Sequence, residues 1–327
     1  MFRFGIVGCG AIARIHAEAV SGIENACLHG VTDHLPSAAQ AFASAHGGKA
    51  YADYGEMLAD KEINVVIICT PSYRHAEQAI AALRAGKHVV LEKPMALSAA
   101  AADEVIAVAE QTGKLITVIS QLRFSEDIQL VKRLVSEGAF GKISFCGLYM
   151  QYYRNDAYYA QSSWRGTLAY DGGGALMNQG IHGIDLLGYL MGGIKSAEGK
   201  IATLSHQIEV EDTAVATVTF EGGALGVIVG STCAYPGFER RIEIHGDEGY
   251  VVLRENRIER MMVKGEEHAE RTLPVTKTAF DPVAMSSELH RRQIENLLAA
   301  VEGKEALLID GREGKRAVEV IESIYNR

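Results

Sequence analysis

The sequence predicts an α/β protein in two parts, a parallel sheet first and a mainly antiparallel sheet after it. Three observations carry this. At 327 residues the chain exceeds the size of one hydrophobic core. From Phe2 to Ser120 short β-type runs alternate with longer Ala-rich stretches of helical character, the pattern of βαβ units. After about Arg123 that alternation gives way to successive strand-like runs separated by turn residues. Domains of residues 1–122 and 123–327 are expected.

In the first domain the predicted strands are Arg3–Val7, Leu28–Thr32, Val65–Thr70, His88–Leu91 and Leu115–Ile119. Their unbroken apolar character, as in Val65-Val66-Ile67-Ile68, implies burial on both faces. Ala76–Ala85 and Ala99–Glu110 are dense in strong helix formers and stop at Gly86 and Gly113. In the second domain a helix is expected over Ile128–Ser136, a Tyr-rich segment follows, and another helix starts after Gly174. Strands at Thr213–Phe220, Ala224–Ser231, Arg240–His245 and Tyr250–Leu253 are separated by Glu-Gly-Gly, Tyr-Pro-Gly and Gly-Asp-Glu-Gly turns. Terminal helical stretches, about Ser287–Val301 and Arg312–Tyr325, are free to pack on either domain.

Hydrophobic content of 48% with 22% charged residues leaves ample apolar surface to bury and argues against a disordered chain. A net charge of −9 supplies no footprint for phosphate backbones or anionic lipid, so neither nucleic acid nor a membrane is an expected partner. Cys9, Cys27, Cys69, Cys146 and Cys233 are odd in number and scattered, without CxxC, which suggests neither a disulfide framework nor a metal site. The N-terminus runs straight into a strand and a glycine loop, without a basic leader or a span of membrane length, so a cytoplasmic protein is expected.

The first chemical motif is Gly8-Cys9-Gly10-Ala11-Ile12-Ala13, placed between a predicted strand and a predicted helix. Gly8 permits the tight turn, Gly10 lets the backbone approach a pyrophosphate, and Ala13 allows close helix–strand packing. Ala11 and Ile12 open a helix whose N-terminal amides receive the anion. Asp33 lies twenty residues beyond Ala13 at the end of the second strand, where a carboxylate binds ribose hydroxyls and repels a 2′-phosphate, favouring NAD over NADP. An ordinary glycine turn with a surface Asp is the bland alternative, and the βαβ context disfavours it. Thr70, Pro71 and Ser72 sit past a buried strand, where open sheets place ligands, and would line a cofactor pocket. His75 either reaches the nicotinamide side or caps the next helix.

Glu92-Lys93-Pro94 again follows a buried strand. Lys93 there can donate to a substrate hydroxyl, and a neighbouring oxidised nicotinamide would lower its pKa. Downstream, Asn178, His182 and Asp185 stand at i, i+4 and i+7 of a helix, an amide, an imidazole and a carboxylate on one stripe. His182 can shuttle a proton near neutral pH, Asn178 can hold substrate, and Asp185 could orient the ring. Two ligands at most make a metal site improbable there.

Together these pieces resemble the Gfo/Idh/MocA family of oxidoreductases, through GCGAIA (8 to 13), TPSYRH (70 to 75), AGKHVVLEKP (85 to 94), RF (123 to 124), EGAFGKI (137 to 143) and DGGGALMNQGIHGIDLL (171 to 187). The resemblance implies an N-terminal Rossmann dinucleotide-binding domain and a C-terminal α/β domain with an open, mainly antiparallel sheet that mediates homodimers or homotetramers. It further implies NAD as cofactor, contacted through Gly8, Gly10, Ala11, Ile12, Asp33, Thr70, Pro71, Ser72, His75, Glu92 and Lys93. Lys93 becomes proton relay and His182 general acid/base, while Arg123 lies near the active-site edge. Many members carry Asp where this chain has Asn178, so a Lys93 and His182 pair is the expected machinery.

Six of the 13 tyrosines and the only tryptophan, Trp164, fall within residues 149–170. Such aromatics stack on a pyranose or cyclitol, and Arg165 or Arg154 would bind an anionic group; packing at a domain or subunit contact explains the aromatics equally well. The expected activity is hydride transfer between a secondary alcohol of a sugar or polyol and NAD. A nucleotide-sugar ring-hydroxyl dehydrogenase and a non-catalytic NAD-sensing regulator are the alternatives.

Overall fold

In the computed structural model the described residues are 1–273 and 286–326. They form two compact units, one of residues 1–121 with 286–315 and the other of residues 122–273 with 316–326.

The first unit is built on strands β1 (Phe2–Val7), β2 (Ala26–Thr32), β3 (Lys49–Ala50), β4 (Val65–Ile68), β5 (His88–Leu91) and β6 (Ile116–Val118). All pair in parallel, in the order β3-β2-β1-β4-β5-β6. The strand order reverses between β1 and β4, the point at which doubly wound sheets leave a crevice at their carboxyl ends. Period-two alternation buries both faces. Val65 and Ile67 face a layer from α1 (Ala11–Ser21), α2 (Pro36–His46) and the later helix Glu288–Val301, in a cluster with Phe4, Ile6, Ala17, Phe42 and Leu297. Val66 and Ile68 face the opposite layer, where Met57 of α3 (Tyr54–Ala59), Leu83 of α4 (His75–Arg84) and Val105 of α5 (Ala99–Thr112) close over them. Gln293, on the helix Glu288–Val301, accepts from Ser120 N at 3.1 Å and donates to Val118 O at 2.8 Å, sealing the end of β6.

The second unit has eight strands: β7 (Ile143–Gln151), β8 (Ile194–Ala202), β9 (Thr213–Phe220), β10 (Leu225–Ser231), β11 (Arg241–Gly246), β12 (Gly249–Arg254), β13 (Arg257–Val263) and β14 (Glu266–Glu270). They run in the order β14-β13-β12-β11-β7-β10-β9-β8. Six neighbouring pairs are antiparallel, but β7 and β10 are parallel. Helices α6 (Glu126–Ser136), α7 (Asp156–Ala160), α8 (Leu168–Asp171) and α9 (Ile181–Met191) complete the middle of the chain; α10 is the helix Glu288–Val301, and α11 spans Gly311–Tyr325. Cys146, Leu148 and Met150 of β7 and Ala214, Ala216 and Val218 of β9 point into one core with Ile184, Leu187, Val318 and Ile321. On the other face Val215 and Leu225 are 53% and 61% exposed, so this sheet is covered on one side only among the described residues. No described helix is long and apolar enough to cross a membrane.

Candidate active site

In the first unit β1 delivers the chain into Gly8 with φ +88°, and a Cβ there would lie 2.8 Å from the carbonyl of Cys69. A side chain is thus excluded twice, by backbone conformation and by the neighbouring loop. At Gly10, the residue preceding α1, an added Cβ would meet nothing within 4 Å, so open space lies beside the helix N-terminus. Ala11 and Ile12 form its first turn. The Asp33 carboxylate accepts from Cys9 N at 2.8 Å through one oxygen and from Leu35 N at 2.9 Å through the other, which fixes it against the glycine loop. Burial first, and this carboxylate second, push the Cys9 thiol up to about 12, so it stays protonated. A bare glycine cradle, a helix N-terminus and a carboxylate fixed at the end of β2 fit a dinucleotide's pyrophosphate and ribose.

Two loops follow the neighbouring strands. Thr70 Oγ1 donates to Gln78 Oε1 at 2.5 Å, Pro71 is partly exposed and Ser72 is buried. His75, expected either to reach the nicotinamide side or to cap the next helix, is 1% exposed and acts as a clamp. Its Nδ1 lies 2.6 Å from Pro94 O and its Nε2 2.8 Å from Thr70 O, joining the two loops. Burial lowers the ring's pKa, so at neutral pH it carries one N–H and donates to one carbonyl at a time.

Lys93 is therefore presented by a loop held from two sides. Behind it, Glu92 is 7% exposed, and its carboxylate lies 2.7 Å from Nε2 of His16 on α1 and 3.2 Å from Lys93 N. Burial alone would raise the Glu92 carboxyl, but the His16 hydrogen bond and nearby positive charge outweigh it and hold the group at about 2. His290 packs edge-on to His16 with ring centroids 5.1 Å apart, and burial pushes it down to about 4. His16, Glu92 and His290 thus form a buried cluster, and the first and last members had no signal in the sequence beyond being histidines on apolar helix faces.

In the second unit the helix expected after Gly174 begins as a π-helical turn, Ala175–Gly180, before α9 takes over at Ile181. A π turn is wider than an α turn, so Asn178 and His182 do not share an α-helical stripe as the spacing implied. The turn is fixed by Glu211, whose carboxylate accepts from Gly174 N and Leu176 N at 2.8 Å each and from Tyr325 Oη at 2.7 Å. Asn178 and His182 are both partly exposed.

Arg123 and Asp185 depart from expectation together. Arg123 is 2% exposed, with Nε and Nη2 at 2.9 and 2.6 Å from the two Asp185 oxygens and the guanidinium 4.7 Å from the Tyr189 ring. This bidentate pair joins the chain before α6 to the middle of α9. Arg123, expected as a substrate ligand, is thus buried in a strut with Asp185 as its partner. Arg165 lies over the Tyr158 ring at 4.4 Å and the Trp164 ring at 5.6 Å, and donates from Nη1 to Gln161 Oε1 at 2.8 Å. Trp164 and Arg165 are half-buried in this aromatic cluster. Arg154, given only a passing role by the sequence, is 5% exposed and donates from Nε to Gln179 Oε1 at 3.1 Å.

Residues 2–120 match the model of an oxidoreductase family with an NAD-binding Rossmann fold, and residues 128–252 match the GFO/IDH/MocA C-terminal domain. The WlbA dehydrogenase of Bordetella pertussis, solved with NADH and UDP-GlcNAcA, is 32% identical, with 99% of this chain and 95% of that one aligned at a TM-score of 0.88. The chain belongs to the Gfo/Idh/MocA family. The WlbA dehydrogenase of Chromobacterium violaceum, also solved with NADH and UDP-GlcNAcA, is 33% identical, with 99% of this chain and 93% of that one aligned at a TM-score of 0.87. Myo-inositol 2-dehydrogenase of Thermotoga maritima is 28% identical over 97% of this chain and 93% of its own. As a Gfo/Idh/MocA protein this chain is an NAD-dependent oxidoreductase.

Proposed function

We propose that the chain oxidises a secondary alcohol of a sugar or cyclitol, and reduces the corresponding ketone, with Lys93 and His182 as its acid/base pair. The observation that carries the reading is the loop bearing Lys93. Glu92 is anchored through His16 and Pro94 through His75, so the lysine is displayed from a fixed frame just past β5. Such pre-organisation is what hydroxyl activation requires. NAD supplies the hydride acceptor when bound, held by Gly8, Gly10, the first turn of α1 and Asp33. His182 takes the hydroxyl proton, Lys93 holds the hydroxyl oxygen and relays the proton, and Asn178 binds substrate beside them. Trp164 and Arg165 contribute an aromatic wall and a cation.

Measurement of NADH formation over a panel of polyols, free sugars and nucleotide-linked sugars tests this, followed by Lys93→Ala and His182→Ala on the best substrate. Each variant should lose about 10²- to 10⁴-fold in kcat. Unchanged turnover in both would reject the assignment. A second reading, oxidation of a nucleotide-linked sugar, is supported by the two WlbA relatives solved with UDP-GlcNAcA and by the cationic Arg165 in the aromatic cluster. It predicts that only the nucleotide-linked arm of the panel is active. NADH binding without turnover anywhere would instead favour a cofactor-sensing regulator.

The half-covered sheet, with Val215 and Leu225 exposed, supports a homodimer or homotetramer, which light scattering measures. Five free cysteines support a reducing, cytoplasmic setting.

A further inference from the structure

Around Asn178 the second unit carries a directed run of hydrogen bonds that begins on a buried cation and ends on a buried carboxylate. Arg154 Nε donates to Gln179 Oε1 at 3.1 Å, and Gln179 Nε2 donates to Asn178 Oδ1 at 2.8 Å and to Tyr158 Oη at 2.7 Å. Asn178 Nδ2 then donates to Asp171 Oδ1, while Gly166 N donates to Asp171 Oδ2 at 2.9 Å. Arg154 is 5% exposed and Asp171 3%, so two opposite buried charges are joined through two amides. The orientation of the Asn178 amide is set from both sides, because an N–H enters its oxygen and a carboxylate meets its nitrogen.

We propose that Asp171 is the positioning acid of this half of the site: it holds the negative charge, orients Asn178, and makes position 178 a place for an amide and not for a carboxylate. This deepens the function proposed above, since it rests on Asn178 as a substrate ligand. Replacing Asn178 by Asp would set two carboxylates at hydrogen-bond distance, a pair that cannot stay doubly ionised without cost. Exchanging the two residues conserves everything. The amide moved to position 171 would accept from Gly166 N and donate to the carboxylate moved to position 178. That carboxylate would still accept from Gln179 Nε2, with the same net charge.

The ionisable groups around position 178 are Asp171, Arg154 through Gln179, Tyr158, His182 one turn on, and Glu211 with Tyr325 behind the π turn. His206 adds to them, with Nε2 2.8 Å from the Arg154 carbonyl. None of these changes in the exchange apart from Asp171 itself.

The test compares Asn178→Asp, Asp171→Asn and the double exchange Asp171→Asn/Asn178→Asp in the full chain, reading thermal unfolding at pH 8 and pH 5.5, NADH binding, and kcat and KM. Asn178→Asp should lower the Tm by about 5 °C at pH 8 and by less at pH 5.5, where one carboxyl of the pair takes up a proton. The double exchange should restore the Tm and remove its pH dependence. NADH affinity should remain within about twofold in all three, since none of the proposed dinucleotide residues Gly8, Gly10 and Asp33 is changed. In turnover, Asp171→Asn should lose about tenfold in kcat and Asn178→Asp about a hundredfold, with the double exchange back within about tenfold of the parent. An Asn178→Asp protein as stable as the parent at both pH values, or a double exchange no better than that single variant, overturns the charge placement. A double exchange that regains stability but not kcat overturns the positioning role and leaves Asp171 structural. If the parent turns over no substrate, the function proposed above fails while the thermal arm still decides where the charge lies.

Discussion

Consider removal of the charge from Asp185 by substitution with Asn. The Arg123 guanidinium is 2% exposed and rests against Tyr189, and both Asp185 oxygens lie within 2.9 Å of its nitrogens. Asn keeps the volume and one acceptor but leaves the cation without its anion in a site water does not reach. Breaking a buried pair in this way costs about 3 to 5 kcal/mol. For a unit of this size each kcal/mol lowers the Tm by about 2 to 4 °C, so the Asp185→Asn transition should fall by about 6 to 20 °C. Replacing both partners with apolar residues, as in Arg123→Met/Asp185→Leu, removes the stranded charge and should return within about 2 kcal/mol of the parent. Differential scanning calorimetry reads both variants, and substrate KM in the double variant reads whether Arg123 touches substrate. An Asp185→Asn protein melting within about 1 °C of the parent would refute the strut, and a large rise in KM in a stable double variant would restore Arg123 as a ligand.

Three further outcomes follow from the first unit. Gly8→Ala forces a residue with φ +88° against the Cys69 carbonyl, and should weaken NADH binding at least about tenfold by calorimetric titration. Asp33→Asn keeps an acceptor for Cys9 N but removes the charge, so the preference for NAD over NADP in steady-state kinetics should shrink by about 10- to 100-fold. His290 has a folded pKa of about 4, below its unfolded value of 6.5, so the unfolded chain binds more protons under pH 6.5. Stability is therefore complete above pH 6.5 and falls by about 3 kcal/mol on acidification towards pH 4. Denaturant melts across that window should show a shallower loss in His290→Gln; an identical slope would contradict the burial argument. Glu92, held at about 2, loses its contribution only below the ordinary carboxylate range, chiefly outside that window.

What the sequence disclosed depended on whether the causes were local. β4 and β5 were legible because the unbroken apolar runs Val65–Ile68 and Val89–Leu91, mostly β-branched, allow little else, and their period-two split between two helical layers followed. β7 was not legible: in Ile143–Gln151 both faces carry apolar residues, so no alternation marks the strand, and its neighbours lie far downstream. β8 and β14 escaped because edge strands carry charges, as at Lys195, Glu198 and Glu266, and β13, although paired on both sides, because Arg257, Glu259 and Arg260 interrupt its apolar run. At the site, Gly8 and Asp33 could be read because a tight turn after β1 and a carboxylate at the end of β2 have their own spacing. The Arg123–Asp185 pair was not legible because its members lie 62 residues apart, nor was the His75 clamp, because its second carbonyl belongs to Pro94. Asp171 was visible only as the first residue of the 171–187 motif, with nothing to mark its hydrogen bonds to Asn178 and Gly166, since these exist only once the chain from α8 folds back beside the π turn.

The pairing of β7 also dictates an order of events during synthesis. Its two neighbours, β10 and β11, begin at Leu225 and Arg241, so when β7 leaves the ribosome neither of its edges has a partner for dozens of residues. The first unit waits as well, because Gln293, which seals β6, arrives later still. The second sheet therefore cannot pair fully until most of the polypeptide has emerged, so both edges of β7 stay unpaired while dozens of residues are added.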